Sequence, residues 1–128
     1  MKLSIVIPVY NSEKILPILI EAIIKNLKNK ISSYEIILIN DFSRDQSWKI
    51  IANLSKKHKF VKGINLKQNY GQHSAIFTGL KFSKGVNIIC LDDDMQHDPV
   101  YIFEIYKKLD KGHDVCYVKY INRQHTKI

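Results

Sequence analysis

The sequence predicts an α/β fold in three layers, with a mostly parallel sheet between two layers of helices. Strand-like and helix-like patterns alternate along the whole chain, as they do in proteins built from parallel strands and crossover helices. The strand-like runs, such as residues 3–10 and 35–39, are apolar at successive positions, which indicates strands buried on both faces. With 128 residues, the chain is long enough for one such domain.

Each predicted element follows from its own pattern of apolar residues and turn formers. β-Branched runs bounded by Gly, Pro, Asn or Asp predict strands, and apolar residues that recur every three or four positions predict helices. In chain order, the predicted strands cover residues 3–10, 35–39, 60–66, 86–91 and 114–120, and the predicted helices cover residues 15–27, 48–54, 74–83 and 101–109.

Polar residues before the first two helices are expected to cap them. Asn11 or Ser12 precedes the first apolar stripe, and Pro17 restricts where that helix begins. Ser43 or Asp45 precedes the second stripe. Side chains of these types accept hydrogen bonds from the N–H groups that are unpaired in a first helical turn.

The composition is that of a globular protein with a basic surface. Hydrophobic residues make up 45% of the chain and charged residues 25%, which are ordinary values. The formal net charge of +8 fits nucleic acid, an anionic membrane or a phosphate-bearing ligand. Because the lysines are spread along the chain and no aromatic-basic stripe occurs, we do not expect a nucleic-acid partner.

Two cysteines, Cys90 and Cys116, lie within apolar strand-like runs. The first strand begins at once after Met1-Lys2, so we expect no targeting peptide. Buried thiols in a reducing compartment are then the simplest interpretation, which predicts a cytoplasmic location. No apolar run approaches the roughly 20 residues of a membrane span.

Polar clusters follow three of the predicted strands, at residues 8–12, 40–43 and 92–97. The carboxyl ends of parallel strands share one edge of a sheet, and ligands of such sheets bind there. We therefore expect the three clusters to meet. The glycine-rich signatures of dinucleotide-binding and P-loop proteins are absent from the sequence.

The most informative cluster is the acidic run Asp92-Asp93-Asp94, followed by Gln96, His97 and the helix start Asp98-Pro99. Like charges this close repel one another unless a cation neutralises them. In an extended backbone Asp92 and Asp94 point to the same side, about 6.6 Å apart, and Asp93 points away. Carboxylate oxygens favour Mg²⁺ or Mn²⁺. The alternative is that these residues are caps or turn formers.

Other polar residues on this edge allow two interpretations each. Asp41 could accept hydrogen bonds from a base or ribose, or it could form a local turn. The loop from Asn69 to His73 has Gly71 as a hinge and could be an ordinary surface loop. Without Cys/His spacing for zinc, the edge is best interpreted as an acidic metal site beside a nucleoside site. That combination suits a nucleotide diphosphate, whose charge a metal would neutralise.

Three stretches of the chain resemble the family 2 glycosyltransferases of the GT-A fold. They are Ser-Ile-Val-Ile-Pro-Val-Tyr-Asn at residues 4–11, the Asn-Asp-Phe-Ser segment at 40–43, and the Asp-x-Asp motif at 92–94. Gln96 and Pro99 are similar to the polyprenyl-phosphate branch, which includes dolichyl-phosphate mannose synthase. Residues 69–75 are similar to undecaprenyl-phosphate aminoarabinose transferases and related bacterial enzymes.

The resemblance implies a truncated GT-A domain, with residues 1–128 as its nucleotide-sugar-binding part. It implies an Mg²⁺ or Mn²⁺ cofactor held by Asp94, Gln96 and Asp92. It implies catalytic roles for Asp92, Asp94 and Arg123. The residues that it implies for nucleotide binding are Pro8, Tyr10, Asn11, Asp41, Asn69, Gly71, Asp92 and Asp93. Two positions depart from the family pattern, because Asn40 replaces an Asp and Tyr120 replaces an Arg.

The activity implied is inverting transfer of a sugar from a nucleotide sugar of UDP or GDP type to a polyprenyl phosphate. A phosphate acceptor with a second pKa of about 6 is already an anion at neutral pH and needs no general base. Transfer to a saccharide hydroxyl, which does need a base, is an alternative. An inactive nucleotide-binding module is another.

The resemblance also bears on location and assembly. Relatives continue into an acceptor-binding half, and many then carry membrane helices. Any membrane association is therefore expected through a C-terminal part that this chain lacks, at the cytoplasmic face. A homo-oligomer is compatible with the resemblance.

Overall fold

The computed structural model describes residues 1–95 and 98–109, together with the backbone of 114–117. Within them, every predicted strand and helix is present, and the α/β prediction is confirmed. The strands are β1 (Leu3–Val9), β2 (Tyr34–Asn40), β3 (Val61–Asn65), β4 (Asn87–Cys90) and β5 (Asp114–Tyr117). The helices are α1 (Leu16–Leu27), α2 (Ser47–Lys57), α3 (Gln72–Phe82) and α4 (Tyr101–Leu109).

The five strands form one sheet in the order β3-β2-β1-β4-β5, and each neighbouring pair is parallel. Strand β1 lies at the centre and is buried at all seven positions. Its register sets Leu3 opposite Tyr34 on β2 and opposite Asn87 on β4. The all-apolar runs of the sequence therefore belong to strands that are covered on both faces, as predicted.

Two apolar cores flank the sheet. The larger one joins alternate residues of β1, such as Ile5 and Ile7, to α1, α2 and α4. The smaller one joins Val6 on the opposite face to α3 through Ala75 and Ile76. Since neighbouring residues of a strand point to opposite faces, one continuous apolar strand serves both cores.

Helix α3 approaches the sheet closely at Gly79. A Cβ atom at this position would lie 2.4 Å from Val6 Cγ1 and 2.7 Å from Ile39 Cδ1. Both distances are well inside van der Waals contact. The absence of a side chain at Gly79 therefore sets how near α3 comes to β1 and β2.

The predicted cap of α1 was wrong. The helix begins at Leu16, and no side chain caps it. Asn11 has a left-handed backbone with φ of 51°, and its side chain accepts a hydrogen bond from the Arg44 N–H instead. Ser12 contributes only its backbone carbonyl, which accepts from the N–H of Leu16 at 3.0 Å. Pro17 lies in the first turn, where a missing N–H costs little.

Of the two residues predicted to cap α2, Ser43 and Asp45, only Asp45 bonds to the first turn of the helix. Gln46 occupies the cap position, and no cap side chain bonds to the helix. Asp45, one residue earlier, accepts a hydrogen bond from the N–H of Ser47 at 2.9 Å. Among the described residues, no helix has the length and apolar composition that crossing a bilayer requires.

Candidate donor site

A cleft of about 380 Å³ opens at the carboxyl ends of β1, β2 and β4. From β1 the chain continues to β2 and β3 on one side, whereas β4 and β5 lie on the other side of β1. The strand order therefore reverses at β1, and the cleft lies at this point. Ligands of open α/β sheets bind at this switch point because the loops separate there. The residues that line the cleft are Pro8, Val9, Tyr10, Asp41, Asn69, Gly71, Gln72, Asp92, Asp93 and Asp94.

All three carboxylates of the acidic run line this cleft. Strand β4 ends at Cys90, and its last bond to β1 is from the Leu91 N–H to the Val6 carbonyl at 2.9 Å. Beyond Leu91 the backbone bends, and Met95 has a φ of 58°. The alternation expected for an extended run therefore does not apply to these residues.

Asp93 turns toward the end of β1. Its Oδ2 accepts a hydrogen bond from the Tyr10 N–H at 3.0 Å and another from the Ser12 hydroxyl. Burial raises the pKa of Asp93, and the charge of Asp94 adds to the increase, although these two hydrogen bonds oppose it. The carboxylate thus connects the β4 end with the loop after β1.

Asp92 and Asp94 have different surroundings. Asp92 is half-buried, and its Oδ1 accepts a hydrogen bond from Gln72 Nε2 at 2.7 Å. Asp94 is exposed to solvent. Among the described residues, no three His, Cys, Asp or Glu side chains are grouped to hold a metal ion. Two carboxylates still fit Mg²⁺ or Mn²⁺, because Mg²⁺ is commonly held by one or two carboxylates together with substrate phosphates and water.

Asp41 is almost fully buried and bonds to the loop after β3. Its Oδ1 accepts from the Tyr70 N–H at 2.9 Å, and its Oδ2 accepts from the Gly71 N–H at 3.1 Å. Gly71 has φ of 95° and ψ of 163°, a conformation that is essentially restricted to glycine. Asn69 Oδ1 also accepts from the Gly71 N–H, at 3.0 Å. One buried carboxylate therefore shapes the loop that forms one wall of the cleft.

The loop between β1 and α1 is also bonded to the loop between β2 and α2. The N–H of Asn11 donates to Ser43 Oγ, and the N–H of Ser12 donates to Ser47 Oγ, both at 2.9 Å. The N–H of Glu13 donates to Asp45 Oδ2 at 3.1 Å. Burial by itself would raise the pKa of Asp45, but hydrogen bonds from Ser47 and from the backbone hold it below its ordinary value.

The structure places the predicted site residues in three groups. Seven of them line the cleft: Pro8, Tyr10, Asp41, Asn69, Gly71, Asp92 and Asp93, together with the predicted metal ligand Asp94. Asn11 lies beside it, in an adjoining depression of about 410 Å³. Gln96, His97 and Arg123 lie outside the described residues, as does the side chain of Cys116. Cys90 is buried.

Gln72 is a cleft residue that the sequence did not single out. It begins α3, directly after Gly71, and its amide reaches Asp92. The available signal was its place at the end of a polar loop that faces the acidic edge. Which loop residue would reach a carboxylate depends on the direction in which α3 leaves the loop.

The model of the family described as glycosyl transferase family 2 matches residues 4–127. An undecaprenyl-phosphate 4-deoxy-4-formamido-L-arabinose transferase of Proteus mirabilis is 43% identical over 126 residues, which cover 96% of this chain. The chain spans 38% of the length of that relative.

Two solved structures share the fold. Staphylococcus aureus TarS, residues 1–349, in complex with UDP-GlcNAc is 28% identical with a TM-score of 0.64, and the match covers 73% of this chain and 27% of that one. Glucosyl-3-phosphoglycerate synthase of Mycobacterium tuberculosis, in complex with Mn²⁺, UDP and phosphoglyceric acid, is 19% identical with a TM-score of 0.67. That match covers 87% of this chain and 39% of the synthase.

Proposed function

The chain belongs to glycosyl transferase family 2, and we propose that it forms the donor-binding part of an enzyme that transfers a sugar to a polyprenyl phosphate. The donor is a nucleotide diphosphate sugar, and the configuration at the anomeric carbon is inverted. The relative from Proteus mirabilis is named for transfer to undecaprenyl phosphate, which supports this acceptor. Because the chain spans 38% of that relative, the proposal concerns the whole protein.

The observation that carries the proposal is the meeting of three loops at one cleft. Asp92 and Asp94 from the β4 end face the same space as Pro8 and Tyr10 from the β1 end and the loop that Asp41 holds. A nucleoside and a diphosphate differ in chemistry, and the cleft offers a different surface to each. TarS, a relative of similar fold at 28% identity, was solved with UDP-GlcNAc, which supports a nucleotide sugar as the ligand.

We assign the diphosphate end of the donor to the acidic turn, defined as Asp92–Met95. Asp92 and Asp94 would hold Mg²⁺ or Mn²⁺, with Gln96 as a further ligand. The ion would supply positive charge that stabilises the departing nucleotide diphosphate. Asp92 would be oriented by the Gln72 amide, since this hydrogen bond restricts rotation of the carboxylate.

We assign the nucleoside to the β1 end and the Asp41 side of the cleft. Tyr10 is 46% exposed, so a base can pack against its ring without displacing a core residue. Asn69 and Gly71 line the same cleft. Asp41 contributes by holding their loop, because both of its oxygens already accept N–H groups from it.

A phosphate acceptor would need no general base in this proposal. The acceptor oxygen is already negatively charged at neutral pH, because its second pKa is about 6. It can attack the anomeric carbon as the carbon–oxygen bond to the diphosphate breaks, and no proton has to be removed. In this proposal the reaction takes place at the cytoplasmic face of the membrane, where the acceptor headgroup is reachable.

Calorimetry with UDP, GDP and CMP, with and without Mn²⁺, tests the donor site. We expect one nucleotide diphosphate to bind only weakly without metal and at least about tenfold more tightly with it, because the ion offsets repulsion between phosphates and carboxylates. Asp94→Ala should remove the metal effect. Glu21→Ala, which deletes an exposed acid on α1, should leave it unchanged. Absence of binding to all three nucleotides would contradict the proposal.

The acceptor is tested separately with the whole protein. Turnover of the nucleotide sugar should require undecaprenyl phosphate and should not occur with saccharide hydroxyls. The rate should change little with pH near neutrality, because no protein group has to act as a general base. Turnover with a saccharide alone would favour the alternative acceptor class.

A further inference from the structure

We propose that Asp93 is a positioning residue that couples the nucleoside side of the cleft to its metal side. Its carboxylate holds the β1 loop, defined as Tyr10–Ile15, against the acidic turn. The inference rests on the proposed function, because it assigns those two segments to two parts of one ligand. It gives Asp93 a role different from the direct nucleotide contact expected from the sequence.

Asp93 accepts two hydrogen bonds from the β1 loop. One oxygen of Asp93 receives both the backbone N–H of Tyr10 and the hydroxyl of Ser12. Hydrogen bonds to a charged acceptor are stronger than neutral ones. Ser12 Oγ also lies 3.1 Å from the carbonyl oxygen of Tyr10, but a hydroxyl has one proton, and the carboxylate is the better acceptor.

This contact lies just beyond the paired ends of β1 and β4. Regular pairing between β1 and β4 reaches as far as the bond from Leu91 to Val6. Beyond it, the two segments separate to form the cleft, and Asp93 bridges them across a sequence distance of 81 to 83 residues. A bridge at this point determines how far the ring of Tyr10 lies from the carboxylates of Asp92 and Asp94.

The β1 loop has a second support. Asn11 donates its N–H to Ser43 in the loop after β2, and Ser12 donates its N–H to Ser47, the first residue of α2. Removal of Asp93 therefore leaves the β1 loop attached to the β2 side and deletes its two hydrogen bonds to the acidic turn. The expected consequence is a loss of coupling between the two parts of the site, with the fold retained.

The alternative role for Asp93 is direct contact with the nucleotide. Asp93 lies between the two carboxylates that we assign to the metal, but its Oδ2 is already used by two donors from the β1 loop. A third negative side chain directed at a diphosphate would also repel it. The hydrogen bonds of Asp93 thus fit a role in holding the protein better than a role in holding the ligand.

The test measures how much Mn²⁺ improves the affinity of the full chain for UDP, or for the nucleotide that the wild type prefers. The coupling between the metal and the nucleotide is given by the ratio of the nucleotide's affinity with Mn²⁺ to its affinity without Mn²⁺. We expect Asp93→Ala to reduce the improvement by about fivefold or more, while the metal-free affinity changes by less than about twofold. Asp93→Asn keeps an oxygen for the Tyr10 N–H and should recover most of the improvement.

Ser12→Ala removes one of the two donors and should cause a smaller loss than Asp93→Ala. The double variant should be no worse than Asp93→Ala alone, because both changes delete the same contact. Glu21→Ala is the control for loss of one negative charge away from the cleft. If Asp93→Ala does not fold, Asp93→Asn and Ser12→Ala still provide the comparison.

Three results would overturn the inference. An unchanged metal effect in Asp93→Ala and Ser12→Ala would show that the bridge does not couple the two sides. Complete loss of binding in both Asp93→Ala and Asp93→Asn, as expected for a direct ligand, would also contradict it. Absence of nucleotide binding by the wild type would end the donor-site proposal as well, and this result is distinguishable from the other two.

Discussion

At the scale of single residues, the carboxylates of the cleft differ in their hydrogen bonds and in their exposure to solvent. Asp41 and Asp93 accept backbone N–H groups from neighbouring loops, whereas Asp94 is exposed. A buried carboxylate whose oxygens accept backbone N–H groups shapes the loops around it, whereas an exposed carboxylate can be reached from solvent. The sequence alone does not distinguish them, since all of them are aspartates that follow a strand.

Asp41 is predicted to stabilise the loop that forms one wall of the cleft. In Asp41→Ala the Tyr70 N–H loses its acceptor and the Gly71 N–H keeps only Asn69 Oδ1, so the free energy of unfolding should fall by about 1–3 kcal/mol. Asp41→Asn retains one acceptor oxygen and should lose less. Urea unfolding measures both variants. Asn69→Ala, which removes a second acceptor of Gly71 at the surface, is the matched control. Equal stability of Asp41→Ala and wild type would contradict this role.

At the scale of elements, α3 shows how one glycine determines the position of a helix. Gly79 is buried against Val6 and Ile39, and the helix begins at the site loop. A shift of α3 away from the sheet would carry Gln72 away from Asp92. The packing of this helix is therefore linked to the geometry of the acidic turn.

Gly79→Ala is predicted to destabilise the fold by about 1–3 kcal/mol through overpacking, although alanine is the better helix former by about 1 kcal/mol. The added Cβ would lie 2.4 Å from Val6 Cγ1. Thermal or urea unfolding of Gly79→Ala, Val6→Ala and the double variant measures the coupling between the two sites. The cost of Gly79→Ala should be smaller in the Val6→Ala background. A stabilising Gly79→Ala would show that helix propensity outweighs the contact.

At the scale of the whole molecule, a buried network lies at the sheet edge opposite the cleft. Glu35 on β2 is fully buried and accepts hydrogen bonds from the Ser4 hydroxyl at 2.6 Å and from the Lys84 N–H at 2.7 Å. Lys62 Nζ lies 3.0 Å from Glu35 Oε1. The network joins β1, β2 and β3 to the segment that leads into β4. It therefore supports the sheet on both sides of the switch point.

The pH dependence of stability follows from this network. Burial by itself would raise the pKa of Glu35, but the hydrogen bonds from Ser4 and Lys84 and the ammonium of Lys62 hold it below its ordinary value. A lowered pKa in the folded state means that Glu35 stabilises the protein above its unfolded pKa of about 4.3. This stabilisation is lost as the pH falls through the folded pKa.

Glu35→Gln is accordingly predicted to be less stable than wild type at pH 7, by about 1–3 kcal/mol. The difference should shrink as the pH falls below about 4. Chemical unfolding at several pH values measures it. Glu21→Gln, at an exposed ion pair, should differ little from wild type at any of these values. A difference between Glu35→Gln and wild type that does not change with pH would contradict the assignment.

The fold class, the order of the elements and the edge at which the polar clusters meet can all be predicted from the sequence. These features depend on local patterns: continuous apolar runs for buried strands, apolar stripes for helices, and the rule that parallel strands end at one edge. Pro8, Asp41 and Asp92 could therefore be assigned to one cleft before any coordinates were known.

The hydrogen-bond partners of the polar side chains, in contrast, depend on tertiary contacts. That Asn11 bonds to Arg44 rather than capping α1, that Gln72 reaches Asp92, and that Asp93 bridges to Tyr10 all depend on contacts between distant parts of the chain. Such contacts are set by strand order and by the approach of helices such as α3. Neither is encoded in the residues next to the side chain concerned, because each results from packing of the whole sheet.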